Sequence, residues 1–136
     1  MAYLTIEQEI QQQSKLLENF DDPMERYQLI IDFGDKLPEL SDEFRIDENR
    51  VLGCQSNLWM KNFGTQQLEL RAYSEAFIVR GLAQMVLQIY NGKTKDEILA
   101  TDPNILENLG IAGLLTPGRQ NGIGNLIKKV YEYAGQ

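Results

Sequence analysis

The strongest constraint on the fold is a change of hydrophobic period near the middle of the chain. The segment NLWMKNF (57–63) alternates between two faces, and QLELRAY (67–73) does the same after a short link that contains Gly64. This alternation predicts two β-strands, and the short link predicts an antiparallel hairpin. EAFIVRGLAQMVLQIYNG (75–92) then repeats apolar residues at helical spacing, which predicts a long helix with a wide buried face and Ser74 as its cap.

Apolar stripes and cap signals predict two helices before the hairpin. The first is predicted over residues 4–19 from its apolar stripe. Asp22 followed by Pro23 predicts the start of the second helix, and Glu25 stands where a capping box needs its acidic member. This second helix is expected to end near Pro38, because the residue before a proline is disfavoured in helical conformation.

Three more helices are predicted after the long one. Cap signals at Thr94 and Asp102 open two short helices, and Thr116 opens the last helix. A strand around residues 50–52 is expected to pair with the hairpin. The order of elements predicts a single α+β domain over residues 1–136, with a small antiparallel sheet of about three strands packed against helices.

Charge and hydropathy argue against two kinds of partner. The 136 residues include 20 acidic and 13 basic side chains, giving a formal net charge of -7. Nucleic acids and anionic membranes select clustered Lys and Arg, so we expect neither as a partner. No stretch approaches the length of about 18 apolar residues that spans a bilayer, and the first residues lack a signal-peptide pattern. We therefore expect a soluble protein of the cytoplasm.

Acidic residues are concentrated in the segment DFGDKLPELSDEFRIDE, residues 32–48. This composition predicts a solvated surface that keeps the protein in solution. An acidic docking surface for a partner is the alternative.

The absence of histidine removes most familiar kinds of catalysis. Without an imidazole there is no Cys-His or Ser-His nucleophile pair and no histidine metal site. One cysteine cannot by itself hold Zn²⁺ or an Fe–S cluster, and the chain has no EF-hand, Walker A or GxGxxG pattern. Carboxylate sites for Mg²⁺ or Ca²⁺ are left open, but the sequence predicts no cofactor and no specific metal site.

The single cysteine, Cys54, lies in the stretch VLGCQSNLWM, residues 51–60. One alternative is a small buried side chain, since free cysteine is among the most buried residue types. The other is a reactive thiol on a loop, because Gly53 permits a sharp bend and the polar Gln55 and Ser56 are unusual neighbours for a core residue. Without a histidine base, thiol exchange and persulfide transfer remain, since they need only a thiolate and a sulfur leaving group.

Two other kinds of side chain are candidates for roles at the cysteine. A cation beside the thiol would favour the thiolate, and Arg50 and Arg119 are candidates that spacing alone does not bring to Cys54. Trp59 is predicted to pack at the start of the hairpin, with a place at a partner interface as the alternative.

Four blocks of the chain form a recognisable set. VLGCQSNLW (51–59) is similar to the pattern V-x-G-C-Q-S-x-x-W, and SEAFIVRGL (74–82) to S-D-A-x-I-V-x-G-L. YNGKTKDEIL (90–99) is similar to y-x-g-k-T-x-x-e-I-l, and LLTPGRQNGI (114–123) to h-L-S/T-P-S-R-x-x-G-L. In this order and spacing the set resembles the SufE-type sulfur-acceptor proteins, and the similarity extends over residues 5–134.

This resemblance implies a function in sulfur transfer. Proteins of the family are partners of PLP-dependent cysteine desulfurases, which carry sulfur taken from cysteine as a persulfide. The acceptor takes that sulfur on its own cysteine, stimulates the desulfurase and passes the sulfur to an iron–sulfur assembly scaffold. The fold implied is the SufE/IscU-like α+β fold, a curved antiparallel sheet with helices packed on it. No cofactor is implied for the acceptor, which is a carrier and activator more than a free-standing enzyme.

The matched motifs also imply site residues. Cys54 is implied to be the persulfide carrier. The binding residues implied around it are Gly53, Gln55, Ser56, Glu75 and Arg119. Two of the departures from the family pattern lie near these residues: Glu75 replaces the usual Asp, and Gly118 replaces a Ser, so any role of that hydroxyl is absent.

The resemblance leads to an expected motion and leaves an alternative. We expect Cys54 to lie tucked beneath its loop in the free protein and to swing outward on Gly53 when a desulfurase docks. The alternative is a regulatory partner that binds a desulfurase without accepting sulfur. An IscU-type scaffold needs three cysteines, and an unrelated thiol enzyme needs a histidine base. The sequence has one cysteine and no histidine, so it disfavours both.

Overall fold

Eight regular elements and four short 3-10 turns make up residues 4–136, the part of the chain that the computed structural model describes. In chain order the elements are α1 (Ile6–Glu18), α2 (Pro23–Phe33), β1 (Leu58–Asn62), β2 (Leu70–Ser74), α3 (Phe77–Tyr90), α4 (Lys95–Leu99), α5 (Ile105–Leu109) and α6 (Pro117–Ala134). The 3-10 turns are Gly34–Lys36, Asp42–Phe44, Asp47–Asn49 and Ala112–Leu114. The predicted α+β class is confirmed; residues 1–3 of the predicted domain lie outside the described residues.

The sheet has two strands rather than about three. β1 and β2 pair antiparallel, as the alternating pattern predicts. The register pairs Leu58 with Ser74, Trp59 with Tyr73, Met60 with Ala72, Lys61 with Arg71, and Asn62 with Leu70. The strand expected around residues 50–52 is reduced to one isolated bridge between Arg50 and Trp59. The chain leaves the sheet here because it turns at Gly53, whose φ of 79° is incompatible with an extended strand.

Helix α3 is the centre of the core. Most of its 14 residues are buried, and α1, α2, β2 and α6 all pack on it. Phe77 belongs to the apolar stripe in the sequence, yet its side chain is 67% exposed because it is the first residue of the helix, ahead of the packed part. Gly81 sets the distance to α2, because a Cβ at this position would lie 1.8 Å from the carbonyl oxygen of Ile30.

Local cap signals are confirmed at three helices and wrong at two. The side chains of Asp22, Thr94 and Thr116 accept backbone N–H bonds at the starts of α2, α4 and α6. Asp102 does not cap α5, which begins at Ile105 after Asn104; its carboxylate accepts from the Asn104 N–H at 2.9 Å, before the helix. Ser74 does not cap α3: it belongs to β2, where its hydroxyl accepts from the Ala76 N–H at 3.2 Å. Pairing with β1 therefore decides the conformation of Ser74, and α3 begins without a side-chain cap.

The acidic segment 32–48 is held to the sheet by Arg45. Its guanidinium pairs with Glu39 at 3.0 Å and with Asp42 at 2.5 Å. The same guanidinium lies 3.4 Å from the centre of the Tyr73 ring on β2. A cation stacked on an aromatic ring adds a favourable contact to the two ion pairs. The backbone joins the segment to β2 as well, since the Leu40 N–H donates to the Ala72 carbonyl at 3.0 Å.

Helix α6 is anchored to the core by an apolar face and a tyrosine pair. Leu126, Ile127 and Val130 are buried, as their spacing predicts. The hydroxyl of Tyr131 lies 3.2 Å from that of Tyr90 on α3. Burial and the hydrogen bond to Tyr131 raise the pKa of Tyr90, so its hydroxyl keeps its proton at ordinary pH. This anchoring fixes the orientation of the neighbouring face of α6, on which the cysteine lies.

The longest helix of the described residues is α6, with 18 residues that include Arg119, Lys128, Lys129 and Glu132. Within residues 4–136, no helix combines the length and the apolar character that a bilayer crossing requires.

We predict that Gly81→Ala destabilises the protein by about 1–3 kcal/mol, since the new methyl group must push α2 away from α3. Urea unfolding followed by circular dichroism would measure the change. Gly124→Ala on α6 is the matched control, because its Cβ would meet nothing within 4 Å. This control should keep or gain stability, by up to about 1 kcal/mol. Equal stability of Gly81→Ala and the unsubstituted protein would contradict the role of this contact.

Candidate functional site

Cys54 lies in a short loop that is closed at its base. The cysteine loop, residues 52–57, begins after the Val51 N–H, which donates to the Leu58 carbonyl at 2.8 Å. The Arg50 guanidinium donates to the side-chain oxygen of Asn57 across the same base. These bonds continue the sheet for one step, so the loop projects from the end of β1 with Cys54 near its tip.

The bend of the loop requires glycine at position 53 for two reasons. The φ of Gly53 is 79°, in the left-handed region that side chains rarely adopt, and this bears out the bend inferred from the sequence. A Cβ at this position would also lie 2.5 Å from Nδ2 of Asn125 and 2.8 Å from Nδ2 of Asn121. Gly53 therefore allows both the turn and the close approach of helix α6.

Cys54 rests on the backbone of α6. The thiol is free and half-buried, and its side chain packs against the edge of the core. A Cβ at Gly122 would lie 2.8 Å from Sγ and 2.9 Å from Cβ of Cys54, so the cysteine occupies the space that a side chain on α6 would need. One turn earlier, a Cβ at Gly118 would lie 2.7 Å from both Cδ and Nε2 of Gln55.

Two asparagines of α6 also bind the cysteine loop, and sequence reasoning missed both. Asn121 Nδ2 donates to the Gly53 carbonyl at 3.2 Å, and Asn125 Nδ2 donates to the Leu52 carbonyl at 2.7 Å. The two glycines and two asparagines form the loop-facing stripe of α6: Gly118, Asn121, Gly122 and Asn125. Spacing of i, i+3, i+4 and i+7 puts them on one helix face. The sequence signal for this contact was the run of small and amide residues that lies beside the apolar stripe of α6.

The structure places Glu75 beside the cysteine loop, across a cleft from Ser56. A shallow cleft of about 400 Å³ is lined by Gln55, Ser56, Asn57, Glu75 and Ala76. The carboxylate of Glu75 is exposed and precedes the first turn of α3. A larger cleft, of about 700 Å³, lies away from the cysteine at the hairpin link around residues 63–71. The cleft beside the cysteine loop is the smaller of the two, and Cys54 does not line it.

Neither candidate cation is hydrogen-bonded to the thiol within residues 4–136. Arg50 binds Asn57 at the base of the loop. Arg119 takes part in the start of α6, where its backbone N–H donates to the Thr116 hydroxyl at 3.2 Å. In the same described residues, the Arg119 guanidinium and the Glu75 carboxylate do not form an ion pair with each other. Asn121 and Asn125, not Arg119, make the hydrogen bonds between α6 and the cysteine loop.

Within residues 4–136, no three His, Cys, Asp or Glu side chains are grouped so that they could hold a metal ion. The site consists of one half-buried thiol, held on a glycine-lined helix face beside a polar cleft.

We predict that Gly122→Ala makes Cys54 more reactive toward alkylating agents. The new methyl group costs the seated loop about 1–3 kcal/mol, which corresponds to a rise of about five- to 150-fold in the lifted fraction. Intact mass against time would measure the rate at the single thiol. Gly124→Ala, on the same helix with open space around its Cβ, should react like the unsubstituted protein. An unchanged rate in Gly122→Ala would show that this contact does not hold the cysteine.

Comparison with known proteins identifies relatives over nearly the whole chain. A SufE-like protein of Rhizobium etli is 38% identical over 120 residues, covering 84% of this chain and 81% of that protein. A SufE-like protein of Rhizobium meliloti is 34% identical, covering 81% and 83%. SufE-like protein 1, chloroplastic/mitochondrial, of Arabidopsis thaliana is 29% identical over 92% of this chain, which matches 34% of that longer protein.

A solved structure matches the fold of this protein, and a family model matches most of its sequence. The solution structure of a hypothetical protein from Thermus thermophilus superposes with a TM-score of 0.76 over 93% of both chains, at 17% identity, which shows a shared fold. The model of the SufE family, described as an Fe-S metabolism associated domain, matches residues 11–134. The chain therefore belongs to the SufE family, whose domain is associated with Fe–S metabolism.

Proposed function

We propose that this protein accepts a sulfur atom on Cys54 from the persulfide of a cysteine desulfurase and passes it to an iron–sulfur assembly scaffold. The observation that carries the proposal is the setting of the only cysteine: it is half-buried, near the tip of a loop seated on α6. A thiol on a projecting loop, beside a shallow polar cleft, suits exchange with the sulfur of another protein. Membership of a family associated with Fe–S metabolism agrees with this role.

The proposed step is a thiol–persulfide exchange. The Cys54 thiolate attacks the terminal sulfur of the donor persulfide, and a new S–S bond forms as the donor's own S–S bond breaks. The donor cysteine leaves as a thiolate and takes a proton from solvent, while Cys54 becomes the persulfide. The oxidation level of the transferred sulfur does not change, so neither a reductant nor a histidine base is needed. PLP in the desulfurase supplies the chemistry that releases sulfur from cysteine.

Access to Cys54 requires movement of the cysteine loop. Its sulfur lies against the backbone at Gly122 and is half-buried, so movement of the loop away from α6 is proposed to open it to the donor. Gly53 is the proposed hinge, because glycine can change φ at little cost. Gln55, Ser56 and Glu75 line the adjacent cleft and are proposed to meet the desulfurase.

Two further roles belong to the proposal. Arg119 carries the family's arginine motif, and we propose that it acts on Cys54 or its partner after the loop has moved, since it does not bind the seated loop. A cytoplasmic site of action is proposed from the sequence; the Arabidopsis relative is named as chloroplastic/mitochondrial.

We predict that Cys54 gains the mass of one sulfur atom when the protein is mixed with a cysteine desulfurase and cysteine. Intact mass spectrometry without reductant would measure the gain, and a reducing thiol should reverse it, because it attacks the persulfide. Cys54→Ser is the control and should gain nothing. The alternative, a regulatory partner that accepts no sulfur, predicts two other results. The unsubstituted protein would gain no sulfur on Cys54, and Cys54→Ser would stimulate the release of sulfide or alanine by the desulfurase as strongly as the unsubstituted protein does.

A further inference from the structure

We propose that Asn121 and Asn125 form a two-point latch that holds the cysteine loop on α6 and sets the fraction of molecules in which Cys54 can be reached. The inference rests on the proposed function for its biological meaning, but the latch itself is a property of the free protein. Both asparagines are positioning residues, since they act on Cys54 through the backbone before it.

The latch acts on the two peptide groups that control where Cys54 points. Asn125 binds the carbonyl of Leu52, and Asn121 binds the carbonyl of Gly53, at 2.7 Å and 3.2 Å. These two residues directly precede Cys54. Rotation at Gly53 lifts the cysteine from Gly122 and moves the Gly53 carbonyl, so the Asn121 bond opposes it directly. The Asn125 bond holds the Leu52 peptide before the hinge, so it opposes movement of the loop as a whole away from α6.

Little else on the loop resists its opening. The Leu52 side chain, the largest apolar group of the loop, is 73% exposed and does not anchor it. The base is closed separately by the bond between Val51 and Leu58, which an opened loop can keep. The seated state is therefore held by the packing of Cys54 and Gln55 on the glycines of α6 and by the two asparagine bonds.

Both bonds are placed where they can break without damaging the fold. They lie at the protein surface, so water can replace the amide on each carbonyl once the loop lifts. A bond between exposed groups has a small net contribution, unlike a buried one whose loss leaves an unpaired group. The latch therefore affects the position of the loop far more than the stability of the domain.

The glycine at position 53 is matched to the latch. A side chain there would collide with the amide nitrogens of both asparagines, at 2.5 Å and 2.8 Å from its Cβ. The hinge residue and the latch residues thus touch each other, and a partner that competes for these amides or carbonyls would free the hinge. We infer that a docking protein opens the loop in this way.

The test compares Asn121→Ala, Asn125→Ala and the double variant with the unsubstituted protein. The readout is the rate at which a bulky aromatic disulfide reacts with Cys54, with no desulfurase present. We expect each single variant to react about three- to ten-fold faster, and the double variant faster still, with a nearly unchanged thermal midpoint. Asn108→Ala is the matched control, because it removes an exposed asparagine bond within α5. It should react at the unsubstituted rate.

The two readouts separate a latch from a merely structural role. A structural role would lower the thermal midpoint and leave the thiol reaction in the folded protein unchanged, and a folded double variant that reacts at the unsubstituted rate overturns the proposal. If the double variant does not fold, the single variants are judged by the same criterion. Faster reaction without sulfur acceptance would refute the proposed function and keep the latch, whereas sulfur acceptance with unchanged reaction rates would do the reverse.

Discussion

Both the core and the cysteine loop depend on close contact with the backbone of a helix at a glycine. At Gly81, α3 approaches the carbonyl of Ile30 so closely that one methyl group would separate the helices. At Gly122, α6 receives Cys54 in the space of a missing side chain. Well-packed contacts of this kind tolerate little added volume. The fold therefore positions its one thiol against a helix surface rather than within a set of reactive side chains.

This arrangement suits a carrier that must both protect and deliver its cysteine. Packing against α6 limits access to the Cys54 sulfur in the free protein, while the bonds that hold the loop lie at the surface. An exposed hydrogen bond contributes only about 1 kcal/mol net, so modest contacts with a docking partner are enough to offset it. The polar cleft beside the loop, with Glu75 at its edge, is the adjacent surface for such contacts.

Sequence patterns predicted the features that local interactions decide. The helix starts at Asp22, Thr94 and Thr116 were correct because a cap acts within four residues. The hairpin was correct because alternation reflects the two faces of a sheet. Errors arose where contacts outside the local pattern decided the outcome. Ser74 pairs with Leu58 in the sheet instead of capping α3. The turn at Gly53 ends the expected third strand after one bridge.

The sequence by itself led to the chemistry proposed for Cys54, because thiol exchange needs a thiolate and no histidine base. It also located Cys54 on a turn, since glycine precedes it. Only the tertiary structure decided what the thiol rests on. Asn121 and Asn125 lie 68 and 73 positions from the carbonyls they bind, and their approach depends on how α6 packs against α3. Local periodicity describes one helix face at a time and cannot encode which distant loop that face receives.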